Sequence, residues 1–387
     1  MAAPGLLSLC SQMGALAYFA REHGPSAVLT FQTMLSMWAW TFVLAAGMDR
    51  AGRGFARTSE GLGAYAFRWR RRLVIGCVLG AAAGAGAGTQ WIGGSLLWMV
   101  YGASLAACSM GYAGREWLLA RGAALAVNKA LSAAFVVGIA AMVLLGVLRA
   151  PFGWIAMLWF VPHAATWIAV CYRMGLFSVQ NEPGSGLSYN SNWRDERPYG
   201  LQALGHVAAT SIDLVIVQIF LTVPHEALRY IVYSRMVSVA FMVSVNFASV
   251  HVRGAVESRG SAWRGFFLKC AATHAGCALL AVCGLWVVGP VFMKLWLGVD
   301  GLVISGSECA GLACAAFARS ACEAGMQTLS GTEHQGGALS AFGGYAAGLA
   351  TLAVMMAFGL SPFLALAAAW GLPAIALLSW VAVRGGK

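Results

Sequence analysis

The amino-acid sequence predicts an all-α integral membrane protein, with about twelve transmembrane helices in two six-helix lobes around a central cavity. Three observations carry this expectation. First, 60% of the 387 residues are hydrophobic, only 10% are charged, and the mean hydropathy is +0.73; soluble domains average roughly a quarter charged residues. Second, apolar runs of about 17–25 residues recur along the chain, each long enough as a helix to cross ~30 Å of hydrocarbon. Third, the longest polar segment, VQNEPGSGLSYNSNWRDERPYG at 179–200, has the Gly/Ser/Asn/Pro composition of a linker. It leaves six runs on either side, the layout of a two-lobed transporter. The runs are continuous rather than alternating, which excludes a β-barrel.

The expected spans lie near 5–20, 28–48, 73–88, 95–112, 124–146, 152–171, 201–222, 227–250, 267–287, 302–320, 337–358 and 362–383. MAAPGLLSLCSQM lacks the basic n-region and small-residue cleavage site of a signal peptide and is read as leading into the first span. In GAAAGAGAG, Gly80, Gly84 and Gly88 fall on one helical face and allow a neighbouring helix to approach closely. Pro151, Pro224 and Gly289-Pro290 mark turns, and Ser361-Pro362 reads as an N-cap followed by proline at the first helical position. The chain therefore divides into an N-terminal lobe at 1–178, a cytoplasmic linker at 179–200 and a C-terminal lobe at 201–387.

Loop charge sets the expected orientation. With both termini cytoplasmic, nineteen of the 25 Lys/Arg fall at inner loops and the tail, and four fall outside: Arg21, Arg149, Arg229 and Lys294. The basic run Arg68-Trp69-Arg70-Arg71-Arg72 dominates this bias. The net charge of +11 is a topology signal with attraction to anionic membrane lipids, and it implies no nucleic-acid partner.

Charged residues inside spans are the chemically informative ones, because a lone charge in the bilayer costs several kcal/mol unless it pairs or meets water. Asp213 lies eleven residues before Pro224 and Arg235 eleven after it. At about 1.5 Å per residue, both sit ~15 Å from the turn, level with each other. A direct Asp213–Arg235 ion pair is the expectation. Gln202, His206, Thr210 and Asp213 form one stripe down the seventh span, and Arg235, Ser238, Asn246 and Ser249 form another on the eighth. Two facing polar stripes predict a hydrated groove; the simpler alternative is a pair that only locks two helices together.

Other polar residues read more modestly. Lys129 snorkels at a span end, Arg21 with Glu22 forms an interfacial anchor, and His163 and His274 pack as hydrogen-bonded core residues. Arg319 and Glu323, spaced i, i+4, form a local ion pair. The ten cysteines are scattered and read as apolar packing residues. No Walker, HExxH or nucleophile-elbow motif is present. The reading is therefore of a non-enzyme with no catalytic residues, no cofactor and no metal.

The stretch TSIDLVIVQIFLTVPHEALRYIVYSRMVSVAFMV resembles the seventh and eighth helices of Wzx-type polysaccharide flippases. These belong to the multidrug/oligosaccharidyl-lipid/polysaccharide exporter superfamily. The shared features are an Asp early in an apolar helix, a short acidic turn, a Tyr and an "ysR", here Asp213, Glu226, Tyr230 or Tyr233, and Ser234-Arg235. FAREHGPSAVLTF resembles the family's stretch after helix one, through Arg21 and Gly24. MQTLSGTEHQGGALSAFGGY is similar to its short loop before helix eleven. The basic N-terminal lead-in usual in the family is absent.

The resemblance implies flipping of undecaprenyl-diphosphate-linked oligosaccharide from the cytoplasmic to the periplasmic leaflet of the bacterial inner membrane, by alternating access. The product would feed lipopolysaccharide or exopolysaccharide assembly, with a polysaccharide polymerase and chain-length machinery as expected partners. Arg235, Asp213, His206, Arg21 and Lys129 are then the candidate substrate-binding residues, and Arg68, Arg70, Arg71 and Arg72 would attract the headgroup. Two rivals remain. An ion-coupled drug or metabolite antiporter of the same superfamily would show a cavity dominated by acids. A membrane polysaccharide polymerase or ligase would carry a large outer loop.

Orientation is directly testable. A cysteine introduced by Ser185→Cys in the linker is expected to resist membrane-impermeant thiol reagents in intact cells and to react after permeabilisation. Ready labelling of intact cells would overturn the topology.

Overall fold

The computed structural model describes residues 2–41, 59–88, 94–120, 124–173, 175–178, 189–257, 261–329 and 335–384. These residues are helical almost throughout. The helices are α1 (Ala2–His23), α2 (Pro25–Thr41), α3 (Ser59–Gly88), α4 (Gly94–Ala120), α5 (Ala124–Val147), α6 (Phe152–Leu158), α7 (Phe160–Arg173), α8 (Tyr189–Ala209), α9 (Ile212–Phe220), α10 (Pro224–Glu257), α11 (Ser261–Leu297), α12 (Gly306–Leu329), α13 (Gln335–Ala357) and α14 (Pro362–Arg384). The pairs α6/α7 and α8/α9 are each one interrupted span, so each expected span corresponds to one helix or one interrupted pair. Among the described residues, five helical runs are long and apolar enough to cross a membrane by length and composition: Phe152–Arg173, Arg197–Phe220, Ala262–Leu297, Gln335–Ala357 and Pro362–Val383. The architecture is that of a multi-pass, all-α membrane protein.

The chain forms two compact units. The first comprises residues 1–16 and 37–197, the second 17–36 and 198–387. Residues 17–36, which the sequence reading assigns to the N-terminal lobe, group with the second unit. Their contacts give the reason: Thr33 Oγ1 donates to Gln218 Oε1 at 2.7 Å, and the Arg21 guanidinium donates to the Leu295 carbonyl. The expected linker is helical from Tyr189 onward, and its earlier part lies outside the described residues, as do residues 42–58, which hold the end of the second expected span, and 330–334.

In the first unit, α3 packs along α4, and α4 and α5 pack against α7. The glycine face predicted in α3 is what permits the first contact. A Cβ on Gly80 would collide with the Gly102 carbonyl, and one on Gly84 with the Trp98 carbonyl. Small residues let two helix backbones meet where lipid offers no hydrophobic drive for association. Trp69 Nε1 then donates to the Met110 carbonyl at 2.7 Å and Tyr65 to the Ala113 carbonyl at 2.8 Å. His163 is buried against Phe135 and Trp159, with Nδ1 3.0 Å from the Trp159 carbonyl, in keeping with a packing role.

In the second unit, α13 packs on α14, α10 on α11, α12 on both α11 and α14, and α9 on α13. Ser361 does stand before the first turn of α14, where its carbonyl accepts from Ala365, but its hydroxyl makes no capping bond. His274 is fully buried and bonded to Ser244, again a core histidine.

Replacing Gly84 by valine forces α3 and α4 apart. The expected result is a loss of about 2 kcal/mol or more of stability, read as a lower unfolding temperature in detergent, whereas Gly86→Ala, which meets nothing within 4 Å, leaves it near that of the parent.

Candidate functional site

The site grows from a break in the seventh span. Thr210 and Ser211 are poor helix formers whose hydroxyls compete for backbone partners; Thr210 Oγ1 takes the Val207 carbonyl at 3.0 Å. The last turn of α8 tightens, with Ser211 N donating to the Ala208 carbonyl at 3.1 Å, and Ser211 leaves helical geometry at φ −134°, ψ −40°. The Thr210 carbonyl accepts Arg235 Nη1 from α10 at 3.4 Å. Asp213 falls in the first turn of α9, where the aligned peptide dipoles favour negative charge.

Asp213 and Arg235 do not form the expected direct pair: among the described residues no ion pair joins them. Arg235 turns instead to the Thr210 carbonyl, and the carboxylate is met by Tyr230, fully buried on α10, whose hydroxyl donates to Oδ2 at 3.0 Å. Asp213 Oδ1 and Arg235 Nε are left buried without hydrogen-bond partners. Both residues nevertheless line one small open recess, with a cavity volume of about 20 Å³, together with Thr210, Ser238, Arg319 and Trp370.

Arg319, on α12, is the organising cation of this recess. Its Nε donates to Glu323 Oε1 at 3.0 Å and its Nη1 to Ser238 Oγ at 2.8 Å. Its guanidinium lies 4.6 Å from the Phe241 ring centre and 5.1 Å from that of Trp370, a favourable contact of cation with aromatic face. Glu323 Oε1 is also 3.3 Å from His206 Nε2, and His206 Nδ1 is 3.0 Å from the Tyr345 hydroxyl. The side chains of Arg319 and Glu323 are 14% and 12% exposed. Gly205 makes this approach possible, because a Cβ there would stand 2.8 Å from the Tyr345 ring. One polar chain thus ties α10, α12, α8 and α13 together, with Trp370 of α14 against it.

The structure therefore brings Asp213, Arg235 and His206 into one polar neighbourhood of the second unit. The other candidates lie elsewhere. Arg21 is exposed and holds the last-turn carbonyl of Leu295, which fits an anchor. Lys129 is exposed on α5 in the first unit. The four basic residues of the 68–72 run lie within α3 rather than in a loop, so they point to different sides. Arg68 is buried, Arg70 donates to the Phe177 carbonyl at 2.5 Å, Arg72 is half-buried, and Arg71 alone of the four is exposed. On the second stripe, the side chains of Asn246 and Ser249 lie outside those described.

Sequence reasoning found the Arg319–Glu323 pair but not its reach to His206 and Ser238. Glu323, expected only as half of a local pair, has a side chain 12% exposed and sits within the network. The overlooked signal is the composition of α12. Gly311, Ala315, Ala316, Ser320, Ala321, Ala324 and Gly325 are all buried, so the helix packs closely on protein, and charges on it must face protein too.

No protein-family model matches the chain, and no curated protein matches its sequence. Its fold, however, is shared with solved transporters over nearly its whole length. An inward-facing multidrug resistance MATE family transporter of the MOP superfamily aligns with a TM-score of 0.70 at 12% identity, covering 98% of this chain and 94% of that one. An outward-facing MATE family transporter of the same superfamily aligns at 0.66 and 13% identity, covering 98% and 90%. A MOP superfamily transporter from Pyrococcus furiosus, described as having a binding pocket of reverse polarity that suggests a different function, aligns at 0.66 and 13%, covering 99% and 94%. The chain has the fold of the MATE transporters; identities this low speak to fold alone.

Glu323 holds two partners, so Glu323→Ala strands a buried guanidinium. The expected loss is about 3–5 kcal/mol, against about 1 kcal/mol for Tyr345→Phe, which removes only the hydroxyl's neutral contacts to His206 and Cys322. Thermal unfolding of the purified variants checks the order of the two effects.

Proposed function

We propose that the protein is a membrane transporter of an anionic, lipid-linked substrate, flipping polyprenyl-diphosphate-linked oligosaccharide between leaflets by alternating access. The observation that carries this reading is the charge of the recess: Arg235 and Arg319 face it with Asp213 as the only acid among its lining residues. Glu323, the nearby second acid, is engaged by Arg319 and His206. Two guanidiniums suit a diphosphate far better than a cationic drug. The break at Thr210–Ser211 adds support, since interrupted helices in transporters place backbone groups and helix ends at substrate sites. The resemblance of the α9–α10 hairpin to Wzx-type flippases points the same way.

The rival is drug or metabolite antiport, favoured by the multidrug transporters that share the fold. It would need Asp213 to dominate the recess, and the two arginines oppose that. Both termini and the 179–200 linker are assigned to the cytoplasmic side of a bacterial inner membrane on the basis of loop charge.

Arg235→Ala is expected to accumulate lipid-linked oligosaccharide on the cytoplasmic side while protein levels stay near normal, because Arg235 bonds only a carbonyl at 3.4 Å and supports little structure. Loss of the folded protein with the same substitution would instead make Arg235 a helix-locking residue.

A further inference from the structure

We propose that residues 298–305, which join α11 to α12 on the side that loop charge assigns to the outside, are a clasp. It locks the outer ends of α10, α11 and α12 together, so that the three move as one piece through the transport cycle. The device is independent of what the recess carries.

Its donors are spaced along α10. His225, Arg229 and Tyr233 stand four residues apart and so share one stripe of the helix. Each donates to a backbone carbonyl of the same short segment. His225 Nε2 reaches Asp300 at 3.1 Å, Arg229 Nη1 reaches Val303 at 3.1 Å, and the buried Tyr233 hydroxyl reaches Leu302 at 2.9 Å.

The segment is shaped to receive them. Gly298, at φ +72°, ends α11, and Gly301, at φ +80°, reverses the chain where a side chain would strain it. Leu302 and Ile304 are then buried and Val303 is exposed, the alternation of an extended chain. Ser305 and Glu308 close the far end with a reciprocal cap: Ser305 N donates to Glu308 Oε2 at 2.8 Å, and Glu308 N to Ser305 Oγ at 3.2 Å. Glu308 Oε1 accepts Arg229 Nη2 at 2.8 Å, which pins this cap of α12 to α10. At the near end Lys294 Nζ pairs with Asp300 Oδ1 at 2.9 Å, and the Arg21 guanidinium of α1 holds the Leu295 carbonyl.

Surface loops ordinarily leave their carbonyls to water and open locally at little cost. This one is continuous with α11 and α12 and bonded three times to α10. Parting α10 from either neighbour at this end breaks those bonds together, which makes the three ends one cooperative unit.

Hydrogen–deuterium exchange of the full-length protein in detergent, read by mass spectrometry, tests the coupling. Arg229→Ala is expected to speed exchange about tenfold in 298–308, and also in the first turns of α10 and the last turn of α11. Tyr233→Phe, which loses one hydroxyl and keeps the ring, is expected to spread its effect in the same way and decides the matter should the Arg229 variant not fold. Faster exchange confined to 298–305, or no change at all, makes the segment an ordinary loop and overturns the clasp.

A covalent version tests the block at work. His225→Cys with Asp300→Cys, after Cys283→Ser and Cys314→Ser remove exposed native thiols, is joined by a short bifunctional thiol reagent in proteoliposomes. The joined protein is expected to translocate a fluorescent polyprenyl-diphosphate-linked sugar at the rate of the unjoined one. Arrest on joining would make the segment a gate that must open, and would overturn the clasp. An unjoined protein that moves no lipid counts against the flippase reading instead, and exchange alone then decides the clasp.

Discussion

The second unit is organised by one constraint: charged side chains inside an apolar bundle must satisfy each other. Arg319 meets it with a carboxylate, a hydroxyl and two aromatic faces. Glu323 meets it by sharing one oxygen between Arg319 and His206. The Arg319–Glu323 pair lies within α12, and its contacts to Ser238 and His206, and through His206 to Tyr345, tie α12 to α10, α8 and α13. Small residues make it sterically possible, Gly205 under Tyr345 and the Ala/Gly/Ser face of α12 among them. A buried network is strong only when every member is satisfied, and this one is complete on the Glu323 side.

On the Asp213 side it is incomplete. The Thr210–Ser211 break turns a continuous span into two helices, and the open backbone and the first turn of α9 face the recess. Asp213 Oδ1 and Arg235 Nε are buried without partners. Polar groups left unsatisfied in a low-dielectric interior carry a standing penalty, and a structure tolerates it where the groups serve something other than stability. The finished network and the unfinished one lie on neighbouring turns of the same helices, and the proposed function is built on the unfinished one.

Much of the fold was legible in the sequence, because hydrophobic length alone dictates spanning helices. The glycine face of α3 and the proline opening α14 were readable for local reasons. The interruption at Thr210–Ser211 was not, since the apolar run continues through it and only tertiary contacts reveal which carbonyl is released. The grouping of residues 17–36 with the second unit was hidden for the same reason: it rests on Thr33–Gln218 and Arg21–Leu295, long-range contacts without a local signature. Helical phase brought Asp213, Arg235 and His206 into one neighbourhood correctly, yet predicted a direct ion pair where Tyr230 meets the carboxylate instead. Tyr230 and Arg235 stand five residues apart, on different faces of α10, and phase alone does not say that the tyrosine meets the carboxylate while the arginine turns to a carbonyl. The arginine run at 68–72 misled in a simpler way, since a basic cluster reads as a loop until the helix is seen to start at Ser59.

The fold is shared with multidrug transporters and with a transporter described as having a binding pocket of reverse polarity, so fold alone does not choose between a cationic and an anionic substrate. The proposal of an anionic substrate rests on the recess, through Arg235 and Arg319. Reconstitution into proteoliposomes tests this most directly, by following translocation of a fluorescent polyprenyl-diphosphate-linked sugar beside uptake of a cationic dye. The account predicts translocation of the diphosphate lipid, abolished by Arg235→Ala, with no transport of the dye. Dye transport without movement of the lipid would contradict it.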